Sequence, residues 1–277
     1  MRLRVPDEIY SKTPSVVLFN QLAVKIEMDG VSNEDYYRWL DRMKDEIGGA
    51  VPGAQIAEKE HARTDPPLNI AVYYDTPDYR ILPTGALLRT SCNRITHAFC
   101  AFKMTEDANN VRNDHRFVFD GDEKRTIQVD PTSAASLAIV KRLLRRRDIE
   151  HPGTYLERNL EISGESLEPA ICLRDYRYTF FVWLDGRDAL RCSIDRYFVS
   201  DLRAQNGRGE ERPLSEVELA IYPRIEAAVA KNPHVVDAIR FLTDSLCTSF
   251  GVAVTHDIKY QRSARALDLY PRSTSSQ

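Results

Sequence analysis

Apolar and polar positions alternate through most of this chain, and the period changes in only a few places. The stretch "VVLFNQLAVKIEM" over 16–28 is apolar and β-rich, which predicts a strand. Ser32 then opens 32–49, where residues 36, 39, 40, 43 and 47 are apolar or aromatic and Gly48 and Gly49 close the run. That spacing, with a capping serine, predicts an amphipathic helix. A strand follows at 68–75 ("LNIAVYYD") and a turn-rich connection at 76–85 ("TPDYRILPTG"). The segments "ALLRTSC" and "HAFCAFKM" alternate as strands do, whereas 105–125 is polar and Asn/Asp-rich and predicts a long loop. Residues 132–149 predict a helix with a basic end. Two strands, 168–184 and 188–201, meet at Asp185-Gly186, a strong hairpin signal. A loop and strand follow within 207–224, then a helix over 232–251, and "RSTSSQ" ends the chain as a frayed tail.

About seven or eight strands with few helices and many hairpins imply an antiparallel sheet and an α+β fold built on a barrel or sandwich. Period two then sorts each strand into faces. Gln21, Ala23, Lys25 and Glu27 share one face; so do Leu87, Arg89 and Ser91; Ala101 and Lys103; Asp175 and Arg177; Arg191, Ser193 and Asp195; and Glu216, Glu218 and Ala220. The opposite faces are more apolar, as in Leu22, Val24 and Ile26 or Val217, Leu219 and Ile221. For any one strand the plain reading is a sheet with a solvated face, and Arg89 either points at solvent or lines something polar. All the strands together read as a closed barrel with a polar interior and helices outside. That interior collects Lys25, Arg89, Lys103, Arg177 and Arg191, with Glu216, Glu218 and Asp195. Buried charges need partners, so the excess of cations implies a multiply charged anion. The carboxylates imply a divalent metal bridging to it.

Composition narrows the setting. The chain has 277 residues, 43% of them hydrophobic, enough to bury a core. The net charge of −3 and pI near 6.1 give no global attraction to nucleic acid. Mean hydropathy is −0.42, no apolar run is long enough for a membrane span, and "MRLRVPDEIYSK" has no apolar core like that of a signal peptide. The five cysteines are scattered without a C-x-x-C, which disfavours a disulfide framework or zinc site and favours the cytoplasm. The sequence reads as an extension (1–15), one domain (16–265) and a flexible tail (266–277).

The stretch "YYDTPDYRILPTGALLR" (73–89) resembles the early strand-turn signature of the triphosphate tunnel metalloenzymes, the superfamily of CYTH domains and VTC-type polyphosphate polymerase domains. The resemblance runs from about Gln21 to Arg262. "LEPAICLRDYRYTFFVW", "LRCSIDRYF", "EVELAI", "FCAFKM" and "GVAVTHDIKYQR" are similar to later motifs of that superfamily, in order. The resemblance implies an eight-stranded antiparallel closed tunnel with helices packed outside. It implies substrate contacts from Lys25, Arg89, Lys103, Arg177, Arg191 and Lys259, and metal ligands Glu216, Glu218 and Asp195 for Mg²⁺ or Mn²⁺. Glu218, Lys25 and Arg89 become the catalytic set. Three activities follow: a metal-dependent phosphohydrolase of inorganic triphosphate, nucleoside triphosphate, thiamine triphosphate or polyphosphate; a polyphosphate polymerase using ATP; or a nucleotide or polyphosphate sensor. An adenylate cyclase of the same superfamily is a weaker fourth.

The motif E-x-E-x-K of that superfamily departs here to Gln21, Ala23 and Lys25, with Glu27 one step along the same face; Ser91, Ala101 and Ala220 replace other charged positions. The basic half of the implied site is kept and the acidic half thinned. The plainer alternatives are a sheet-edge salt bridge for Glu216 and Glu218, a turn cap for Asp195 and a surface lysine for Lys259. The basic helix end at 141–147 reads as a solvated face or a funnel for polyanions, and Asp75 and Asp78 read as turn residues.

Overall fold

The computed structural model describes residues 16–20, 23–59, 62–104, 111–204, 209–222 and 225–269. The expected extension 1–15, Gln21 and most of the expected tail lie outside the described residues. The strands are β1 (Val16–Asn20), β2 (Ala23–Glu27), β3 (Ala54–Glu58), β4 (Leu68–Asp75), β5 (Leu87–Asn93), β6 (Ala98–Lys103), β7 (Val111–Val118), β8 (Glu168–Leu184), β9 (Arg187–Asp201), β10 (Arg212–Ile221) and β11 (Val254–Thr255). The helices are α1 (Asn33–Ala50), α2 (Gly121–Val129), α3 (Ala134–Arg145), α4 (Pro152–Leu160), α5 (Ala227–Ala230), α6 (His234–Phe250) and α7 (Lys259–Ala266).

All strands join one antiparallel sheet in the order β1-β7-β6-β5-β4-β8-β9-β10-β2-β11, with β3 paired to the far end of β8. The α+β class and the antiparallel sheet are as expected; the strand count differs from eight, and closure into a barrel is not seen among the described residues. The sheet has eleven strands, and its ends, β1 and β11, are not paired to each other among the described residues. Part of the difference lies in 16–28, which is two strands: β1 pairs β7 at one end and β2 pairs β10 near the other. The expected loop over 105–125 contains β7 and the start of α2. β7 escapes the apolar alternation because its described residues Asp114 and Arg116 serve the polar face.

Local chemistry explains the elements. Ser32 caps α1 by accepting from the Asp35 amide at 3.1 Å. Asp185 and Gly186 both take positive φ, 51° and 77°, as the two-residue hairpin between β8 and β9 requires. Gly251 ends α6 in the left-handed region at φ 64°. α4 was hidden by Pro152, which sits in its first turn, where a missing N–H costs nothing.

One face of the sheet is covered by two groups of helices. Tyr178, Phe180, Ile194, Val217 and Ile26 pack with Leu40 and Met43 of α1 and Leu242 of α6. Val72, Leu88, Cys100 and Phe102 pack with Ile127 of α2, Val140 and Leu143 of α3 and Leu156 of α4. The opposite, inner face carries a smaller core in which Tyr73, Leu173, Tyr197 and Val199 meet Ile258, Tyr260 and Ala264. Helices therefore do not all pack outside: α7 lies on the inner face. Among the described residues no helix is long and apolar enough to cross a membrane.

Leu40 is fully buried between α1 and the sheet. Leu40→Ala is expected to lower unfolding stability by about 2–5 kcal/mol, read as a fall in urea midpoint at unchanged m-value.

Candidate functional site

Three rows of inner-face side chains cross the sheet. The first is Arg177, Asp195, Glu216 and Glu27 on β8, β9, β10 and β2; the second is Thr179, Ser193, Glu218 and Lys25. The third puts Arg191 between Phe181 and Ala220. Directly opposed residues on one face lie within side-chain contact, so register alone brings Lys25, Arg177, Arg191, Asp195, Glu216 and Glu218 together.

The first row is a buried ion-pair network. Arg177 holds Asp195 through two hydrogen bonds, Nε to Oδ1 at 2.7 Å and a terminal nitrogen to Oδ2 at 2.6 Å. Lys259, the first residue of α7, donates to Asp195 and to Asp175 at 3.1 Å, and lies 3.8 Å from Glu216. Arg262, one turn along α7, donates to Glu216 at 3.1 Å and to Asp29 at 3.0 Å. Burial pushes the Asp195 carboxyl up, but Arg177 and Lys259 pull it further down, below the ordinary carboxylate range. Burial dominates at Asp175, where Asp195 adds to it, and at Glu216; both are raised. Burial lowers Lys259, and Asp175 and Asp195 more than reverse that, so its ammonium is held above the ordinary range.

The charged side chains of the second and third rows, and Arg177 beside them in the first, reach water. The Glu218 side chain is 25% exposed and Arg177 28%, while Arg191 is exposed and Lys25 half-buried. Arg177 stands 3.9 Å from Glu218. Burial raises Glu218, but Arg177 and Lys25 outweigh it and keep the carboxylate ionised below its ordinary value. Arg191 is accessible yet ringed by enough protein, with Arg177 beside it, to sit below the usual arginine value.

Arg89 and Lys103 occupy the other arm of the inner face. Lys103 and Arg116 both hold Asp114, at 3.0 and 2.7 Å. Arg89 is half-buried, opposite Tyr73 and Ala101, and its Nε has no hydrogen-bond partner among the described residues. Tyr260 of α7 stacks on Tyr73 with centroids 4.8 Å apart, so the helix covers the strands next to Arg89. The six residue steps along β8 from Ile171, in Arg89's row, to Arg177 span about 20 Å. The predicted residues thus form two groups, Lys25–Arg177–Arg191–Glu218 and Arg89–Lys103, with α7 on the strands between.

Asp75 is a turn residue, as expected: it accepts from the amides of Thr76, Ile81 and Leu82 and from the Tyr260 hydroxyl at 2.7 Å. Asp78 accepts from the Thr76 hydroxyl within the same turn. The basic helix end forms ion pairs with Glu123, Glu165, Asp148 and Glu157, a solvated face rather than a cation cluster. The sequence reading missed Asp114, Arg116 and Arg262. For Arg262 the signal was its position three after Lys259, which puts both on one helix face.

Whether the expected carboxylates fit Mg²⁺ or Mn²⁺ can be tested on their partners. Asp195 and Glu216 are 0% and 1% exposed and already engaged by three side-chain cations. No group of three His, Cys, Asp or Glu among the described residues is arranged to hold a metal ion. The set does not fit a resident divalent ion in this conformation; Glu218 alone of the three faces water.

Neither a protein-family model nor a curated protein matches the chain. It is similar to a structure from Bacillus halodurans provisionally named an adenylate cyclase, with 14% identity over 88% of this chain and 98% of that one and a TM-score of 0.49. It is also similar to a Hippeastrum protein provisionally named an adenylyl cyclase and described as having a dominant triphosphatase activity (13% identity, 90% and 99% covered, TM-score 0.47). A protein from Pyrococcus horikoshii follows at 11% identity, 90% and 98% covered, TM-score 0.41. Likeness at this level carries nothing further about function.

Burial raises Asp114, but Lys103 and Arg116 draw it well below the ordinary range. A depressed folded pKa contributes stability that is present above the unfolded value, about 3.9, and is lost as pH falls through the folded one. Asp114→Asn is therefore expected to be less stable than wild type by about 2 kcal/mol at pH 7. In thermal melts, that gap narrows as the pH drops below about 4.

Proposed function

We propose that the inner face binds a triphosphate-bearing substrate and hydrolyses its terminal phosphoryl group. The observation that carries this reading is the charged side chains of the second and third rows together with Arg177 of the first. Lys25, Arg177 and Arg191 stand around an ionised, water-facing Glu218. Guanidinium forks suit phosphate oxygens, and a lysine adds a point charge. Glu218 would orient the attacking water and accept its proton as the bond to the leaving phosphate breaks. Arg89 and Lys103, on the other arm, would hold the far end of a longer chain such as polyphosphate. Mg²⁺ or Mn²⁺ would enter with the substrate's phosphates rather than sit on Asp195 and Glu216.

A second reading has its own support. The buried carboxylates of Asp195 and Glu216 are engaged by the chain's own cations, which suits a protein that binds triphosphate or polyphosphate without turning it over.

The test is phosphate release from inorganic triphosphate, ATP, GTP and long-chain polyphosphate, with Mg²⁺, with Mn²⁺ and with chelator. Release is expected from at least one substrate. Glu218→Gln should cut kcat by about 10²-fold or more, and Arg191→Ala should mainly raise KM. Absence of release from every substrate, with triphosphate still raising the Tm, would sink the hydrolase and leave the sensor. Release that ignores both substitutions would place the chemistry elsewhere.

A further inference from the structure

Asp175, Asp195 and Glu216 come from three neighbouring strands and converge on one point of the inner face, the ammonium of Lys259. It lies 3.1 Å from Asp175, hydrogen-bonds Asp195 and stands 3.8 Å from Glu216. The three carboxylate side chains are 7%, 0% and 1% exposed. Three carboxylates from adjacent strands are the oxygen-rich donor set that a hard divalent cation takes. Here a lysine delivered by the first residue of α7 occupies that point. Arg177 on Asp195 and Arg262 on Glu216 supply two further positive charges. Arg177 also stands 3.9 Å from Glu218, and Arg262 also pairs with Asp29 and Glu27, so those two cations are shared with neighbouring carboxylates while Lys259 is centred on these three. A divalent ion placed there would have to displace the ammonium or lie against it and be repelled.

We infer that Lys259 is the resident cation of this cluster, standing where a divalent metal would bind. The folded chain then holds no divalent ion of its own on Asp175, Asp195 and Glu216, and removing the ammonium frees these carboxylates to close on one, an arrangement they do not have while Lys259 stands between them. One side chain supports the second half directly: Oδ1 of buried Asp175 has no hydrogen-bond partner among the described residues, so one oxygen is already free to ligate. α7 is also tied down without Lys259, by the Tyr260–Asp75 hydrogen bond, the Tyr73 stack and Arg262. The helix can therefore stay docked when the ammonium is gone. The inference relies on the proposed function only for the importance of this face, not for its chemistry.

The experiment is a Mn²⁺ titration of the purified full chain without phosphate, following the electron paramagnetic resonance signal of the free aqua ion. Wild type is expected to leave that signal unchanged up to about 1 mM, the weak end of divalent-ion sites. Lys259→Met is expected to take up one ion per chain at least about tenfold more tightly than wild type. Lys259→Met/Asp195→Asn is expected to lose that uptake. Wild type binding one ion per chain, with Asp195→Asn abolishing it, overturns the inference. So does a Lys259→Met chain that is folded by circular dichroism and binds none. Lys259→Gln, which keeps a donor to Asp195, repeats the titration if the methionine variant does not fold, under the same two outcomes, and the wild-type arm needs no variant. No phosphate release is read, so failure of the hydrolase reading and failure of this one give different signatures.

Discussion

The inner face of this sheet is organised by one constraint: Asp195, wholly buried on a central strand, must be neutralised. Taking a carboxylate out of water costs several kcal/mol unless charge and hydrogen bonds replace the solvent. Arg177 does so from the neighbouring strand and Lys259 from α7. The first partner ties the site to sheet register, since Arg177 reaches Asp195 only while β8 and β9 are paired as they are. The second ties the C-terminal helix to the inner face. Removing either would leave a buried charge short of a partner, so strand register, helix docking and site geometry are not separable properties here.

That coupling accounts for the division of the inner face. α7 brings apolar Tyr260 and Ala264 to the middle strands and cations Lys259 and Arg262 to the acidic row. Its apolar side is matched by Tyr73, Leu173, Tyr197 and Val199, and its charged side by Asp175, Asp195 and Glu216. A helix that matches its bed in both respects is a fixed part of the face. Lys25, Arg191 and Glu218 on one arm and Arg89 on the other keep contact with water beside α7.

The sequence showed the inner face better than it showed the sheet. Period two assigned Lys25, Arg89, Lys103, Arg177, Arg191, Asp195, Glu216 and Glu218 to polar faces, and alternation is a local property that a strand carries wherever it pairs. Topology is not local. Nothing in "VVLFNQLAVKIEM" says that its two halves pair with strands at opposite ends of the sheet, and closure depends on which edges meet. β7 was lost because a strand whose inward residues are Asp114 and Arg116 has no apolar alternation to detect. α7 was lost for the opposite reason: it is short and polar, and its role is fixed by the strands it lands on.

The same limit applies to the carboxylates. From spacing alone, Asp195, Glu216 and Glu218 look equivalent, three acids at alternate positions of adjacent strands. What separates them is the third dimension. Asp195 and Glu216 lie under α7 and are spent on its cations, while Glu218 is one step along β10 and clear of the helix. Two residues of strand, about 7 Å, divide a carboxylate that holds the fold together from one that meets water and whatever the water carries. An acidic position in a strand pattern therefore states only that a charge faces inward. Its chemistry is decided by which cation arrives first, and in this chain that cation is covalently attached.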